Sequence, residues 1–115
     1  MSTVQRGEVY KVNPDPSVGK EIQKERPCVV VSSNIMNAKT DLAIVCPITE
    51  GMGLPFDIIH IEVKKGEGGA TKESVALCDQ VKAVDQGRLM EKRGHLEADT
   101  MHKIDKGLKV VLDLR

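Results

Sequence analysis

Two short apolar runs constrain this chain more than any other feature: CVVVSS at positions 28–33 and LAIVCPIT at 42–49. The first is a near-continuous β-branched run entered through Pro27, and the second is its match in apolar character. Stiff β-branched side chains favour extended backbone, and an unbroken apolar strand belongs inside a sheet rather than at its edge. Both runs are therefore expected to be buried strands. A first strand is expected over Glu8–Val12. Another falls where Ile59, Ile61 and Val63 alternate with His60, Glu62 and Lys64, the period of a half-buried strand. SVALCDQVKAV adds one or two more.

Between these lie polar connections. NPDPSVGKEIQKE reads as a long loop, a short helical turn is expected around Asn34–Asn37, and KKGEGGATKE reads as a flexible turn. After Asp85 the pattern changes: QGRLMEK suits a short helix, interrupted at Arg93-Gly94-His95. The last segment sets Met101, Ile104, Leu108, Val111 and Leu112 on one face at helical spacing, with Asp99 as a plausible N-cap. Gly107 inside that helix is unfavourable on propensity alone, so close packing is its expected reason. Short antiparallel strands avoid open edges by curling. The fold expected is α+β, mainly β: a small antiparallel β-barrel with a C-terminal α-helix, one domain over residues 1–115.

Composition removes several function classes. Seventeen basic residues cancel seventeen acidic ones, which argues against a protein that coats duplex nucleic acid through its phosphates. Tyr10 and Phe56 are the only aromatics, too few for a base-stacking platform or for the aromatic groove of a peptide-binding SH3-like module. Cys28, Cys46 and Cys78 each sit in an apolar run without metal-ligand spacing, so they read as reduced, buried thiols. His60, His95 and His102 show no paired spacing either, and His60 and His102 are expected on solvent-facing sides. No P-loop, nucleophile elbow or dinucleotide fingerprint occurs, so neither a metal nor any other cofactor is expected. The N-terminal segment lacks the apolar stretch of a signal peptide and no run is long enough to span a bilayer. The expected address is the cytoplasm, without a membrane partner.

Two residues stand out by placement. Arg26 sits where a charged loop enters the first apolar strand, and Thr49 where the second ends at a glycine turn. If the two strands are neighbours, a guanidinium and a hydroxyl converge at one rim, a pairing suited to a phosphate.

The residues then resemble a known family. RGEVY at Arg6–Tyr10, Val18-Gly19 with Glu21, ERPCVVVS at Glu25–Ser32, CPIT at Cys46–Thr49 and SVALCDQVKAVDQGRL at Ser74–Leu89 follow the order and spacing of the MazF/PemK (Kid) toxin endoribonucleases over nearly the whole chain. The resemblance implies an SH3-like barrel of the CcdB/MazF type. It implies a homodimer that cuts single-stranded RNA sequence-selectively without a metal, and a MazE-like antitoxin whose tail blocks the RNA groove. Arg26 and Thr49 match the family's catalytic pair. Arg6, Glu21, Ser74, Asp79 and Gln80 match positions in or near the groove, and Lys20 and Glu25 join them as expected substrate contacts. The plasmid-borne branch has a histidine where Lys20 stands and an arginine where Leu77 stands, which weakens the transfer of that branch's acid–base role to Asp79. Such cleavage uses the substrate's 2′-hydroxyl as nucleophile, with Glu21, Glu25 and Asp79 as candidate proton acceptors. The alternative is a toxin of the same architecture that binds and poisons DNA gyrase without cutting RNA.

Overall fold

The computed structural model describes residues 4–13, 25–50 and 56–115. The long loop expected over 13–25 and the glycine turn after Glu50 lie for the most part outside them. The strands are β1 (Glu8–Val12), β2 (Arg26–Val30), β3 (Leu42–Glu50), β4 (His60–Val63), β5 (Ser74–Leu77), β6 (Lys82–Asp85) and β7 (Leu89–His95), with helices α1 (Asn34–Lys39) and α2 (Ala98–Val111). All pairings are antiparallel, in the order β4-β5-β3-β2-β1-β7 with β6 also on β3.

β3 holds the architecture together. Its first half pairs with β6, from Leu42 opposite Asp85 to Val45 opposite Lys82, and its last residues pair with β5, from Ile48 opposite Ala76 to Glu50 opposite Ser74. A 3₁₀ turn at Cys78–Gln80 separates those two partners, beside the stretch of β3 that carries Pro47. Proline has no N–H to donate, so the break in the ladder falls where the sheet bends. β3 thereby belongs to two sheets that curl around one core.

The unbroken apolar run of β2 has a direct explanation: both of its faces are covered. Val29 packs with Val9, Ile48, Val63 and Ile104 on the inner side, while Cys28 and Val30 join Val12, Val45 and Val84 in a second cluster on the other. All three cysteines are buried and free. α2 closes the inner core with Met101 and Ile104, and Leu108 and Val111 are partly buried against it. Its N-cap is Glu97, with Asp99 inside the first turn. The stripe ends at Val111: Leu112, expected on the core face, is the C-cap and is exposed.

The segment after Asp85 departs from the sequence-based expectation. Only Gln86–Arg88 forms a helical turn, of 3₁₀ type, and Leu89–His95 is strand β7. Its pairing with β1, Val9 opposite Gly94 and Tyr10 opposite Lys92, comes from the far end of the chain, and that ladder overrides local helix preference. β4 and β7 lie at opposite ends of the strand order, so the barrel is not closed by hydrogen bonds.

What fills the opening is the segment between β4 and β5, which is more ordered than a flexible turn. Glu67 is buried, and its carboxylate accepts the backbone N–H of Glu97 at 2.9 Å and that of Lys64 at 3.4 Å. Gly68 and Gly69 have φ of +61° and +78°. A Cβ on Gly69 would lie 2.6 Å from the carbonyl oxygen of Arg93, and one on Gly68 would lie 2.8 Å from the side chains of Val9 and Leu96. Only glycine allows this backbone to press against β7.

Gly107 provides a test of packing against propensity. A Cβ there would stand 2.7 Å from the carbonyl oxygen of Ile58 and 2.8 Å from the thiol sulfur of Cys78. Alanine is the better helix former by about 1 kcal/mol, but overpacking typically costs about 1–3 kcal/mol. Gly107→Ala is expected to destabilise the chain by about 1 kcal/mol or more in urea denaturation; a stabilised variant contradicts the packing account.

Candidate active site

β2 and β3 are neighbours, as convergence of Arg26 and Thr49 requires. Their ladder runs from Val30 opposite Val45 to Cys28 opposite Pro47, and Arg26 and Thr49 each lie two residues beyond that last pair, at the same end of the two strands. Both residues line one cavity of about 340 Å³ at the open end of the barrel. Its floor is apolar, formed by Val9, Ile48 and Val63 from the core, and the backbone of Gly68 and Gly69 forms one wall.

The charges around this cavity are not balanced as the whole chain's are. Three carboxylates line it, and each is engaged: Glu25 with the Lys11 ammonium at 3.5 Å, Glu50 with that of Lys72 at 3.7 Å, and Glu67 with the two backbone N–H groups. The Arg26 guanidinium is exposed and has no side-chain partner among the described residues. A second arginine, Arg93 of β7, lines the same cavity and donates to the Gly69 carbonyl at 3.0 Å. Counted with Lys11 and Lys72, the cavity is surrounded by four cations and three carboxylates, an excess of one positive charge on an otherwise neutral molecule. Ser74 also lines it, nearly buried, with its hydroxyl donating to the Lys72 carbonyl at 2.9 Å.

Other expected site residues lie elsewhere. Arg6 is turned toward α2, where it pairs with Asp105 and donates Nε–H to the Val31 carbonyl at 2.9 Å. Asp79 and Gln80 are exposed on the 3₁₀ turn after β5 and do not line the cavity. Lys20 and Glu21 lie outside the described residues. Glu50, Glu67 and Arg93 were not anticipated, because nothing local marks them: only the register of β3 and the docking of 64–73 on β7 bring them to one place.

His60, expected to face solvent, is held between two carboxylates. Its Nδ1 is 3.1 Å from Asp57, and its Nε2 is 3.5 Å from Asp79. The hydrogen bond with Asp57 raises the imidazole pKa above 6.5, the charge of Asp79 acts in the same direction, and partial desolvation opposes both. The backbone N–H of Ile59 and then the His60 side chain hold the Asp57 carboxyl below its ordinary value. Among the described residues no three His, Cys, Asp or Glu side chains are placed to share a metal ion, and no helix is long and apolar enough to cross a membrane.

Seven antiparallel strands curled around one core, capped by a C-terminal helix, with an arginine and a threonine on adjacent strands at the open end, define a MazF-type toxin fold. The chain superimposes on a MazE–MazF structure from Deinococcus radiodurans with TM-score 0.80, covering 100% of both chains at 24% identity. A mycobacterial endoribonuclease in complex with its cognate antitoxin gives TM-score 0.79 over 98% of both chains at 20% identity. In sequence it is 34% identical to Endoribonuclease EndoA of Bacillus subtilis over 96% of each chain. It is 32% identical to Endoribonuclease MazF of Staphylococcus epidermidis over 96% of this chain and 92% of that one. The family of PemK-like, MazF-like toxins of type II toxin–antitoxin systems matches residues 5–112, and the chain belongs to it.

The raised His60 pKa has a signed consequence for stability. The contribution is fully present below pH 6.5, where the residue is protonated folded or unfolded, and is lost as pH rises through the folded-state pKa. The stability difference between wild type and His60→Gln is expected to shrink above pH 6.5. An NMR titration of His60 with a midpoint at or below 6.5 contradicts the clamp.

Proposed function

We propose that this MazF-type toxin endoribonuclease cuts single-stranded RNA sequence-selectively and without a metal ion. In this reading the substrate's 2′-hydroxyl gives up its proton and attacks the adjacent phosphorus. The bond from phosphorus to the 5′-oxygen breaks, that oxygen takes a proton from solvent water, and the ends are a 2′,3′-cyclic phosphate and a 5′-hydroxyl. The observation that carries it is a guanidinium with no side-chain partner among the described residues, lining the same apolar-floored cavity as the Thr49 hydroxyl.

Each group has one role. Arg26 holds the nonbridging oxygens and stabilises charge as it builds on them, a task suited to a cation that stays protonated at any working pH. Thr49 gives a further hydrogen bond that orients the phosphodiester. Of the two described carboxylates among those the sequence offered as proton acceptors, Glu25 lines this cavity and Asp79 does not, and in this reading Glu25 takes the 2′ proton. The apolar floor accepts a nucleobase only once it is unstacked and unpaired, which favours single strands over duplex. The reading includes a homodimer in the cytoplasm, neutralised by a MazE-like antitoxin that covers the RNA site. Antitoxin complexes among the structural relatives support that partner.

The test is cleavage of a mixed-sequence RNA in excess EDTA, with product ends mapped. Wild type is expected to cut and leave cyclic phosphate ends. Arg26→Ala is expected to lose about 3 kcal/mol of transition-state stabilisation, a factor of more than a hundred in rate. Glu25→Gln is expected to lose roughly a hundredfold or more in kcat. Cutting by Arg26→Ala at the wild-type rate, or loss of wild-type cutting on chelation alone, overturns the proposal.

A further inference from the structure

Arg93 has no counterpart in the catalytic roles just assigned, yet it lines the same cavity as Arg26. It stands on β7, across the cavity wall from β2 and β3. One of its N–H groups is spent on the Gly69 carbonyl, and a guanidinium carries five, so four remain. Among the described residues it has no side-chain partner: Glu25 and Glu50 are paired with lysines, and the Glu67 carboxylate is turned to the N–H groups of Glu97 and Lys64.

Its position is also fixed in advance. The Gly69 backbone lies so close that a Cβ there would meet the Arg93 carbonyl oxygen at 2.6 Å and the Arg93 Cβ at 2.9 Å. Glu67, two residues earlier, ties this wall to the start of α2. An arginine held in this way loses little freedom when it binds. Two guanidinium groups that share one cavity repel each other until an anion sits between or beside them, and a polyanion with regularly spaced charges satisfies both.

We propose that Arg93 grips the phosphate next to the scissile one, so that RNA is held at two successive phosphates, the reacting one by Arg26 and its neighbour by Arg93. The proposal rests on the reading of this cavity as the RNA site. Arg93 then contributes to affinity for any sequence and leaves the chemical step to Arg26, Thr49 and Glu25.

The experiment uses an oligonucleotide spanning the mapped cut, with a 2′-deoxy sugar at the cleaved step so that it binds without reacting. Its affinity is measured by fluorescence anisotropy between about 50 and 300 mM salt for wild type, Arg93→Gln and Arg93→Lys, beside cleavage kinetics on the all-RNA strand. One lost phosphate contact lowers the slope of log affinity against log salt by about 0.7 for a single strand. Arg93→Gln is expected to show that loss, with affinity down about tenfold for every sequence tested and kcat within twofold of wild type. Arg93→Lys keeps the charge and is expected to keep the slope. An unchanged slope in Arg93→Gln, a fall in kcat with the slope intact, or a lost slope in Arg93→Lys overturns the assignment. An unchanged slope beside a wild-type cut that still requires Arg26 removes Arg93 alone; cleavage indifferent to Arg26 removes the cavity reading and Arg93 with it.

Discussion

Everything at the candidate site depends on how the gap between β4 and β7 is filled. Those strands end the sheet without pairing to each other, and an open barrel edge is either covered or prone to pair with another chain. Here the segment between β4 and β5 lies flat across the gap. A buried glutamate pins it to the start of α2, and two glycines in left-handed conformation let its backbone touch β7. Because it is backbone rather than side chain that packs there, the opening narrows without being sealed. The remaining space is the cavity, floored by core valines and an isoleucine and rimmed by polar groups.

That arrangement gives a chain of zero net charge an excess of cations around one cavity. The cavity's carboxylates are turned to lysines or to backbone N–H groups, while its arginines keep donors in reserve. The two lysine pairs are exposed and individually weak, worth roughly 1 kcal/mol or less. Their effect on the site is therefore local: they remove negative potential from the mouth rather than stabilise the fold. In the proposed reading the apolar floor acts separately, favouring ligands that bring a flat unpaired group beside the phosphate.

Much of this was legible in the sequence, and the parts that were not share one cause. The apolar runs announced β2 and β3, and the periodicity of Met101, Ile104 and Leu108 announced α2. Gly107, costly in a helix, correctly signalled close packing. That Arg26 and Thr49 line one cavity was readable because each marks the end of an apolar run, and the two runs are neighbours. Residues 89–92, the first part of β7, read as a helix because none is β-branched and they carry no strand signal of their own, and β1 imposes the ladder from about 80 positions away. Glu67 and Arg93 escaped for the same reason: a glutamate between glycines looks like a solvated turn until the distant N–H of Glu97 is known to face it. Leu112 was assigned to the core by periodicity alone, which takes no account of where the helix stops.

The account stands on one guanidinium and one hydroxyl from adjacent strands holding a single phosphodiester. A crystal structure of the protein with RNA carrying a 2′-O-methyl sugar at the mapped cut tests this most directly. The account predicts one phosphate within hydrogen-bond reach of both Arg26 and Thr49, with the neighbouring base over Val9 and Ile48. RNA seated instead along Arg6 and Asp105, or on the turn of Asp79 and Gln80 with the cavity empty, contradicts it.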